Sequence, residues 1–331
     1  MSKCFWYLLT WTWVHGKAKL AAQSQAPGTL ALTSGNNITK PLDIKRISPH
    51  DTFRTLGAFI TPSGSSRGAF NILKEIALDY AANITGSHIA RKEALMSYIQ
   101  YLIPKLRFQP PALSLSKKEC DQITSIALQA LLPKLHINRN TSCSIIFGPQ
   151  ELGGLGLANL YPTQGIDKLQ LYLGHIRLRD KTGALLRIDH SYIQLIIGSG
   201  TNFMNLDHNN YPWLEQGWMT TLWMFTTYAK ISFIESGTWV PTISRQHDTF
   251  IMEEFLTLKL PTNIMARLNR CRIYLKVLTV SDITTADGQR ILVEVKQGNQ
   301  PLYRQSRLTW PTQGYPSKED WAHWGHYLQF L

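Results

Sequence analysis

Cysteine is scarce in this chain, and its spacing excludes two classes of small cross-linked domain. The 331 residues contain four cysteines, Cys4, Cys120, Cys143 and Cys271, and no two of them form a CxxC pair. Zinc ribbons and disulfide frameworks need more closely grouped cysteines. We therefore expect free thiols in a reducing compartment, which predicts an intracellular protein of the nucleus or cytoplasm.

Adjacent aspartates are absent from the whole sequence. Two-metal phosphoryl transfer, as in polymerases, needs carboxylates that hold two divalent ions about 4 Å apart. The adjacent carboxylates that do occur, Glu253-Glu254 and Glu319-Asp320, lie in predicted helices, where solvated charge explains them. We therefore predict no catalytic residue, no metal site and no cofactor for this chain, and hence no polymerase activity of its own.

Long hydrophobic runs are also absent, since none reaches the roughly 18 apolar residues of a membrane span. The run Phe5–Val14 follows Lys3 as in a secretory signal peptide, which is one interpretation of Met1–Ala26. Thr10 and Thr12 interrupt this run, and its aromatic and β-branched residues favour a strand. We predict a strand here and no membrane partner.

Acidic residues are few, and the resulting positive charge is unevenly placed. The chain has 22 Asp and Glu against 34 Lys and Arg, a net charge of +12, and a pI near 9.5. Residues 1–150 alone have a surplus of +10. A basic front half predicts contact with a polyanion such as nucleic acid, although membrane surfaces attract the same charge.

The front of the chain has the pattern of short strands followed by helices. The strands are predicted at Phe5–Val14, Gly28–Thr33 and Arg54–Thr61. Three short strands bury little apolar surface, so residues 1–66 are interpreted as the edge of a truncated sheet.

Helical periodicity begins at Arg67, and the first helix is predicted to end at Gly86. A second helix is predicted from Ser87 to a break at Pro104. A third follows Ser116, which has capping-box spacing to Glu119, and is predicted to end before Pro133. These three helices form a predicted basic bundle over residues 67–140.

The rear of the chain, residues 141–331, is predicted to be a mostly helical lobe beyond a loop-rich joint at 138–161. A strand is predicted at Ile291–Val295. The predicted helices are Gln164–Arg179, His190–Ile197, Gly217–Phe233, Asp248–Leu260, Pro261–Thr279 and Trp321–Leu331. The fold class that follows is α+β and mostly α-helical.

Basic residues concentrate at the ends of the bundle helices. Phosphate contacts require several long cations, and such contacts supply affinity rather than sequence readout. A weaker second set is Arg267, Arg270 and Arg272. The predicted nucleic-acid-binding residues are Arg91, Lys92, Lys105, Arg107, Lys117, Lys118, Lys134, His136 and Arg139.

Two other motifs suggest chemistry but fit ordinary structure better. Gly153-Gly-Leu-Gly156 lacks the spacing of a phosphate-binding loop, so a turn is predicted. Asp189-His190 raises the question of acid–base catalysis, but no nucleophile is placed beside it.

Several segments together resemble the post-catalytic region of non-LTR-type reverse transcriptases, in particular open reading frames of eukaryotic microbial retroelements. The resemblance covers nearly the whole chain. Its segments are KCFWY (3–7), FRTLGAFITPSGS (53–65), RKEALMSYIQYLIPKL (91–106), LLPKLHINRN (131–140), IIFGPQELGGLGLANLYPTQG (145–165), LGHIRLRD (173–180) and NRCRIYLKVLTVSDITTADG (269–288).

The resemblance implies a role for each region. Lys3–Tyr7 would lie in the palm, Leu56-Gly57 in the turn that joins palm and thumb, and Arg67–Asn138 in a thumb that holds template–primer RNA or DNA by its backbone. Residues 141–331 would be a connection region. Because the fingers and the aspartate-bearing palm strands are absent, the polymerase activity and its Mg²⁺ belong to an intact parent enzyme, and those missing parts are expected partners.

Two alternative functions remain open at this point. One is a scaffold or interaction protein whose tryptophan-rich C-terminal lobe binds a protein partner. The other is a hydrolase or nuclease with a noncontiguous site that uses residues such as Asp189 and His190.

Overall fold

The computed structural model describes residues 5–14, 17–32, 42–234, 245–301 and 308–331. Lys3, Cys4 and Thr33, which took part in the predictions above, lie outside the described residues. Among the described helices, none combines the length and the apolar character that a membrane crossing requires.

Helices dominate and strands are short, so the predicted α+β, mostly helical fold class is confirmed. The strands are β1 (Phe5–Trp6), β2 (Trp11–Val14), β3 (Lys17–Leu20), β4 (Ala31–Leu32), β5 (Leu42–Asp43), β6 (Lys45–Arg46), β7 (Phe53–Thr55) and β8 (Ala58–Ile60). The α-helices are α1 (Arg67–Gly86), α2 (Arg91–Ser97), α3 (Ile103–Arg107), α4 (Lys117–Lys134), α5 (Cys143–Phe147), α6 (Leu160–Leu178), α7 (Lys181–Ile197), α8 (Trp218–Ala229), α9 (Ile251–Thr257), α10 (Thr262–Leu275), α11 (Val293–Lys296) and α12 (Lys318–Tyr327).

The described residues belong to two compact units. The first takes in those of Met1–Thr10, Leu20–Leu171 and Gln216–Leu222. The second takes in those of Trp11–Lys19, Tyr172–Glu215 and Trp223–Leu331. The division of the sequence into 1–66, 67–140 and 141–331 stays a prediction.

The strands pair two by two: β1 with β6 in parallel, then β2 with β3, β4 with β5 and β7 with β8. The prediction of one continuous strand over Phe5–Val14 is wrong. Residues 7–10, which connect β1 to β2, belong to no strand. The strand predicted over Gly28–Thr33 is reduced to Ala31–Leu32 among the described residues. An apolar segment does not reveal which strand each of its residues pairs with. Within Phe5–Val14 the pairing strand changes from β6 to β3.

The strand predicted over Arg54–Thr61 is a hairpin in the structure. Phe53–Thr55 pairs antiparallel with Ala58–Ile60, and the turn residues Leu56 and Gly57 have φ of 49° and 92°. Positive φ at both central residues gives a turn whose twist matches the strands. The residue pattern did not predict this turn, because its first central residue is a leucine, where Asn, Asp or Gly usually occurs. The Leu-Gly turn that the resemblance implied is present.

α1 and α4 form the main packing pair of the first unit. α1 begins and ends as predicted, and its buried residues recur every three or four positions, as a helix against a core requires. These are Ala69, Leu73, Ala77, Tyr80 and Ile84. The buried residues of α4 are Cys120, Ile123, Thr124, Ala127, Leu128, Ala130, Leu131 and Leu132.

Pro104 and Pro133 do not end their helices, so both predicted helix ends are wrong. Between α2 and α3 the backbone widens into one π-helical turn, Tyr98–Leu102, and α3 continues to Arg107. Pro104 lies in the first turn of α3, where a missing N–H is tolerated. Pro133 lies one residue before the end of α4 at Lys134, so it interrupts the helix only in its last turn.

α4 begins with the predicted capping box. Ser116 Oγ accepts a hydrogen bond from Glu119 N at 3.3 Å, and Ser116 N donates to Glu119 Oε2 at 2.7 Å. Each side chain thus satisfies an N–H that has no partner within the helix.

Replacing Ser116 with alanine is expected to lower the free energy of unfolding by about 1 kcal/mol, because Glu119 N loses its acceptor. Urea unfolding measures this change. Ser125, exposed on the same helix, provides the control, and Ser125→Ala should shift stability by less than about 0.5 kcal/mol. Equal effects of the two substitutions would contradict the capping role.

α9, α10 and α12 enclose the main core of the second unit, and α10 contacts both of its neighbours. The six helices predicted for the rear are present with shifted ends, the largest shift being at α7, which begins at Lys181 and not at His190. The strand predicted at Ile291–Val295 is wrong, because Val293–Lys296 forms a helical turn around buried Val295. Short apolar runs do not distinguish a strand from a buried helical turn.

Candidate nucleic-acid interface

The three-helix bundle of the first unit has two ends, each fixed by a hydrogen bond. Ser114 N, just before α4, donates to Ser66 Oγ, just before α1, at 2.8 Å. Lys134 Nζ, in the last turn of α4, donates to Ser87 O, just after α1, at 2.6 Å. α1 and α4 are therefore parallel, and the α2–α3 segment runs antiparallel to both. We call these the Ser66 end and the Ser87 end.

The Ser87 end has five of the nine predicted residues. Two of them open α2, which begins at residue 91 and not at the predicted Ser87, and three lie in or just after the last turn of α4. All except the lysine that binds Ser87 O are exposed. They are Arg91, Lys92, Lys134, His136 and Arg139.

The other four predicted residues lie toward the Ser66 end. Lys117 and Lys118 open α4, and Lys105 and Arg107 lie in the last turn of α3. α4 has 18 residues, so the two ends are separated by about 27 Å. The structure thus places the nine residues in two groups rather than in one converging set.

Several of these cations already have partners within the first unit. Arg107 makes two hydrogen bonds to the carboxylate of Asp167, at 2.8 and 2.6 Å, which raise the pKa of Arg107. Lys117 pairs with Asp121 at 2.6 Å one helical turn away. Lys105 Nζ donates to Tyr101 Oη at 2.6 Å. Such surface contacts contribute little stability and can exchange for a phosphate.

The remaining predicted cations are available for a ligand. Their side chains are exposed and, within the part of the chain that the structure describes, make no hydrogen bond or ion pair. Four of the five lie at the Ser87 end, which makes that end the stronger electrostatic site. They are Arg91, Lys92, Lys118, His136 and Arg139.

A groove of about 340 Å³ lies between the β7–β8 hairpin, α1 and α3. Its lining contains one of the predicted cations, Lys105, and one that was not predicted, Arg54. Phe108, which is 62% exposed, forms part of the wall. The sequence analysis did not identify Arg54 as a candidate site residue, because a single strand was predicted there. The Leu-Gly pair two residues later was the sequence signal for the hairpin that places Arg54 in the groove. The lining residues are Arg54, Gly57, Phe59, Ile76, Lys105, Phe108 and Gln109.

The glycine-rich segment after α5 is a turn, as predicted, and its backbone does not offer a phosphate cradle. Gly153 N and Gly154 N donate to Gln150 O and Pro149 O, and Gly156 N donates to Gly148 O. Phosphate loops bind through backbone N–H groups that are left free for the anion. Here these amides are used within the segment itself.

His190 belongs to the packing of the second unit. Its Nδ1 lies 3.0 Å from Tyr172 Oη, its ring centroid lies 4.7 Å from that of Phe203, and burial lowers its pKa to about 4. Among the described residues no group of three or more His, Cys, Asp or Glu side chains could hold a metal ion. The structure therefore offers no converging set for the nuclease alternative within the described ranges.

The second arginine set is used to join helices of the second unit. Arg267 binds Glu319 at 3.0 Å and Asp320 at 3.2 Å, while Arg270 binds Asp320 at 2.9 Å. Arg272 is fully buried. These side chains connect α10 to α12 or lie inside the core, and they do not form an exposed cationic surface.

Lys168 is a buried amine that the residue pattern did not reveal. Its Nζ donates to Thr221 Oγ1 and lies 5.2 Å from the centroid of the Trp218 ring. It makes no ion pair with any residue in the described part of the chain, and burial lowers its pKa to about 7. The sequence could not indicate this, because Lys168 meets Thr221 only through long-range packing.

The tryptophans of the rear region are packed rather than displayed. Trp223 and Trp324 are fully buried, and Trp213, Trp218, Trp310 and Trp321 are half-buried. None of these tryptophans is largely exposed, and the scaffold alternative stays a hypothesis.

Comparisons with known proteins add no further assignment. No family model, no curated protein and no solved structure matches this chain.

Proposed function

We propose that the first unit binds the phosphate backbone of template–primer nucleic acid, RNA–DNA hybrid or other duplex, without reading base sequence. The observation that supports this is the group of exposed, unpartnered cations at the Ser87 end, with further cations about 27 Å away at the Ser66 end. Long cations at helix ends suit phosphate contacts, which give affinity without specificity.

The resemblance to non-LTR-type reverse transcriptases extends this proposal. In this extended proposal, residues 67–140 act as a thumb-like bundle of a retrotransposon protein. The partners of this chain are then the fingers and palm of an RNA-directed DNA polymerase. The Mg²⁺ chemistry belongs to the parent enzyme, since the present 331 residues have no adjacent aspartates. The chain by itself is proposed to be non-catalytic and to act in the nucleus or cytoplasm.

Neutralising the Ser87 end tests the proposal. The double substitution Arg91→Gln and Lys92→Gln is expected to weaken binding to duplexes of unrelated sequence by a similar factor. It should also lower the slope of log affinity against log salt by about 2, because each lost phosphate contact removes about one released counterion. Filter binding of the full chain over a range of salt concentrations measures both quantities.

A matched control uses two exposed lysines of the second unit, Lys296 and Lys318. Lys296→Gln with Lys318→Gln changes net charge equally, and it should leave both the affinity and the salt slope close to those of the unmodified chain. If both double variants weaken binding to the same degree, overall charge and not the Ser87 end governs binding, and the proposal fails.

A further inference from the structure

The β2–β3 hairpin has an unusual surface for a two-stranded element. Ala21 N donates to Thr10 O at 2.7 Å and Thr12 Oγ1 donates to Lys19 O at 3.4 Å, which places Thr12 opposite Lys19. Every residue of β2 is exposed. Neither face of this strand is covered by the described parts of the protein.

Trp11 and Trp13 lie on one face of β2, because alternate residues of a strand point the same way. They are 58% and 49% exposed, and neither indole makes a hydrogen bond, ring contact or cation–π contact with a described residue. Trp6 is different: its Nε1 donates to Ile44 O at 3.2 Å, and the Arg46 guanidinium lies 4.8 Å from its ring. The two exposed indoles are therefore the ones that a ligand can reach.

The sequence of this hairpin and its flanks has a charge that favours a polyanion. Residues 1–42 contain no Asp or Glu, and β3 contributes Lys17 and Lys19 to the sequence of the hairpin. An aromatic surface within a purely basic segment combines stacking with attraction for phosphate, which is how proteins bind single-stranded nucleic acid.

We propose that Trp11 and Trp13 form a stacking surface for two bases of single-stranded RNA or DNA. Alternate residues of a strand are about 6.6 Å apart, which exceeds the roughly 3.4 Å rise between stacked bases. Bases placed on both indoles are therefore separated from each other, which a splayed single strand permits and a duplex does not. The site consists of other residues than the helix-end cations and binds a different form of nucleic acid.

Binding of a labelled, unstructured oligothymidylate of about ten nucleotides to the full chain tests this site, since stacking sites of this kind span several nucleotides. Fluorescence anisotropy should show Trp11→Ala and Trp13→Ala each weakening binding by about five-fold or more. Thr12→Ala with Val14→Ala, on the opposite face of the same strand, should leave the affinity unchanged. Equal losses for the two faces would overturn the proposal.

Conservative substitutions separate stacking from simple apolar contact. Trp11→Phe with Trp13→Phe should retain most of the affinity, whereas Trp11→Leu with Trp13→Leu should lose it, because leucine has no π face. Full retention by the leucine variant would mean that the surface docks an apolar partner and would overturn the assignment. Loss of binding to phosphatidylserine vesicles, with oligonucleotide binding intact, would overturn it in favour of a membrane surface.

The outcome is distinguishable from that of the proposed function. The tryptophan variants should bind duplex as the unmodified chain does, while Arg91→Gln with Lys92→Gln should weaken duplex binding. Duplex loss in the tryptophan variants equal to their single-strand loss would contradict a separate site.

Discussion

Replacing Arg272 with methionine is expected to lower the free energy of unfolding of the second unit by about 3–5 kcal/mol, because it leaves several acceptors without a donor. The Arg272 guanidinium is fully buried and donates to Leu195 O and Ile196 O, both at 2.7 Å, and to Asn269 Oδ1 at 2.9 Å. Leu195 and Ile196 belong to the last turn of α7, whose carbonyls have no partner within the helix. The substitution leaves these buried acceptors unpaired, at about 1–3 kcal/mol each before relaxation.

The site is shaped for a guanidinium. Gly198, which ends α7 with φ of 67°, has no side chain where a Cβ would lie 2.8 Å from the guanidinium carbon. Burial lowers the pKa of Arg272 to about 9. Hydrogen bonds to carbonyl oxygens are what a buried charge without an ionic partner requires. A positive charge at a helix C-terminus is also favourable.

Urea unfolding, with hydrogen exchange of peptides from α7 and α10, measures the change. Arg272→Lys should be destabilising as well, because one ammonium cannot reproduce the fork that reaches four acceptors, Val277 O among them. Arg177→Met provides the control, since the Arg177 side chain is exposed and makes no hydrogen bond or ion pair with the described residues. A loss below about 1 kcal/mol for Arg272→Met would contradict a structural role of this size.

Replacing Lys168 with methionine is expected to stabilise the first unit at neutral pH and to remove part of its pH dependence. Burial lowers the pKa of Lys168 to about 7 in the folded chain, from 10.5 in the unfolded one. Between these values the unfolded chain binds more protons, so stability rises with pH, at a slope approaching about 1.4 kcal/mol per pH unit. Below pH 7 the amine is charged in both states and its burial is fully unfavourable.

Urea unfolding midpoints measured across the window from pH 7 to 10.5 test this expectation. Lys168→Met should flatten the rise, because the titrating group is gone and the apolar side chain is suited to burial. Lys118→Met on the exposed surface of α4 serves as control and should keep the rise. An unchanged pH profile in the Lys168 variant would show that another group causes it.

Local patterns predicted much of the helical structure. α1 was placed from Arg67 to Gly86 because its apolar residues recur with helical period and face one partner. Ser116 and Glu119 marked the start of α4 because a capping box is encoded within four residues. Features whose cause lies within a few residues were thus readable.

Features that depend on residues far apart in the sequence could not be predicted from local patterns. The strand predicted over Phe5–Val14 divides because its two ends pair with different strands, β6 and β3. Pro104 was expected to break a helix, but the π-helical turn before it lets the chain continue.

The candidate site was predicted in part. The nine cations were identified by type and position, but their division between two ends follows from α1 and α4 being parallel, which only the bonds at Ser66 and Ser87 reveal. Arg107 was predicted as a phosphate ligand, and its pairing with Asp167, 60 residues away, was beyond any local pattern. The same holds for Lys168 and Arg272, whose burial depends on segments far apart in sequence.

The most direct test of the central claim is the salt dependence of duplex binding by the full, unmodified chain. Affinities for two RNA–DNA hybrids of unrelated sequence should be nearly equal, and both should fall linearly in log affinity against log salt. The slope should correspond to several phosphate contacts, at about 0.9 per contact for a duplex. Affinity that stays constant as salt rises, or that differs strongly between the two sequences, would contradict backbone binding by the helix-end cations.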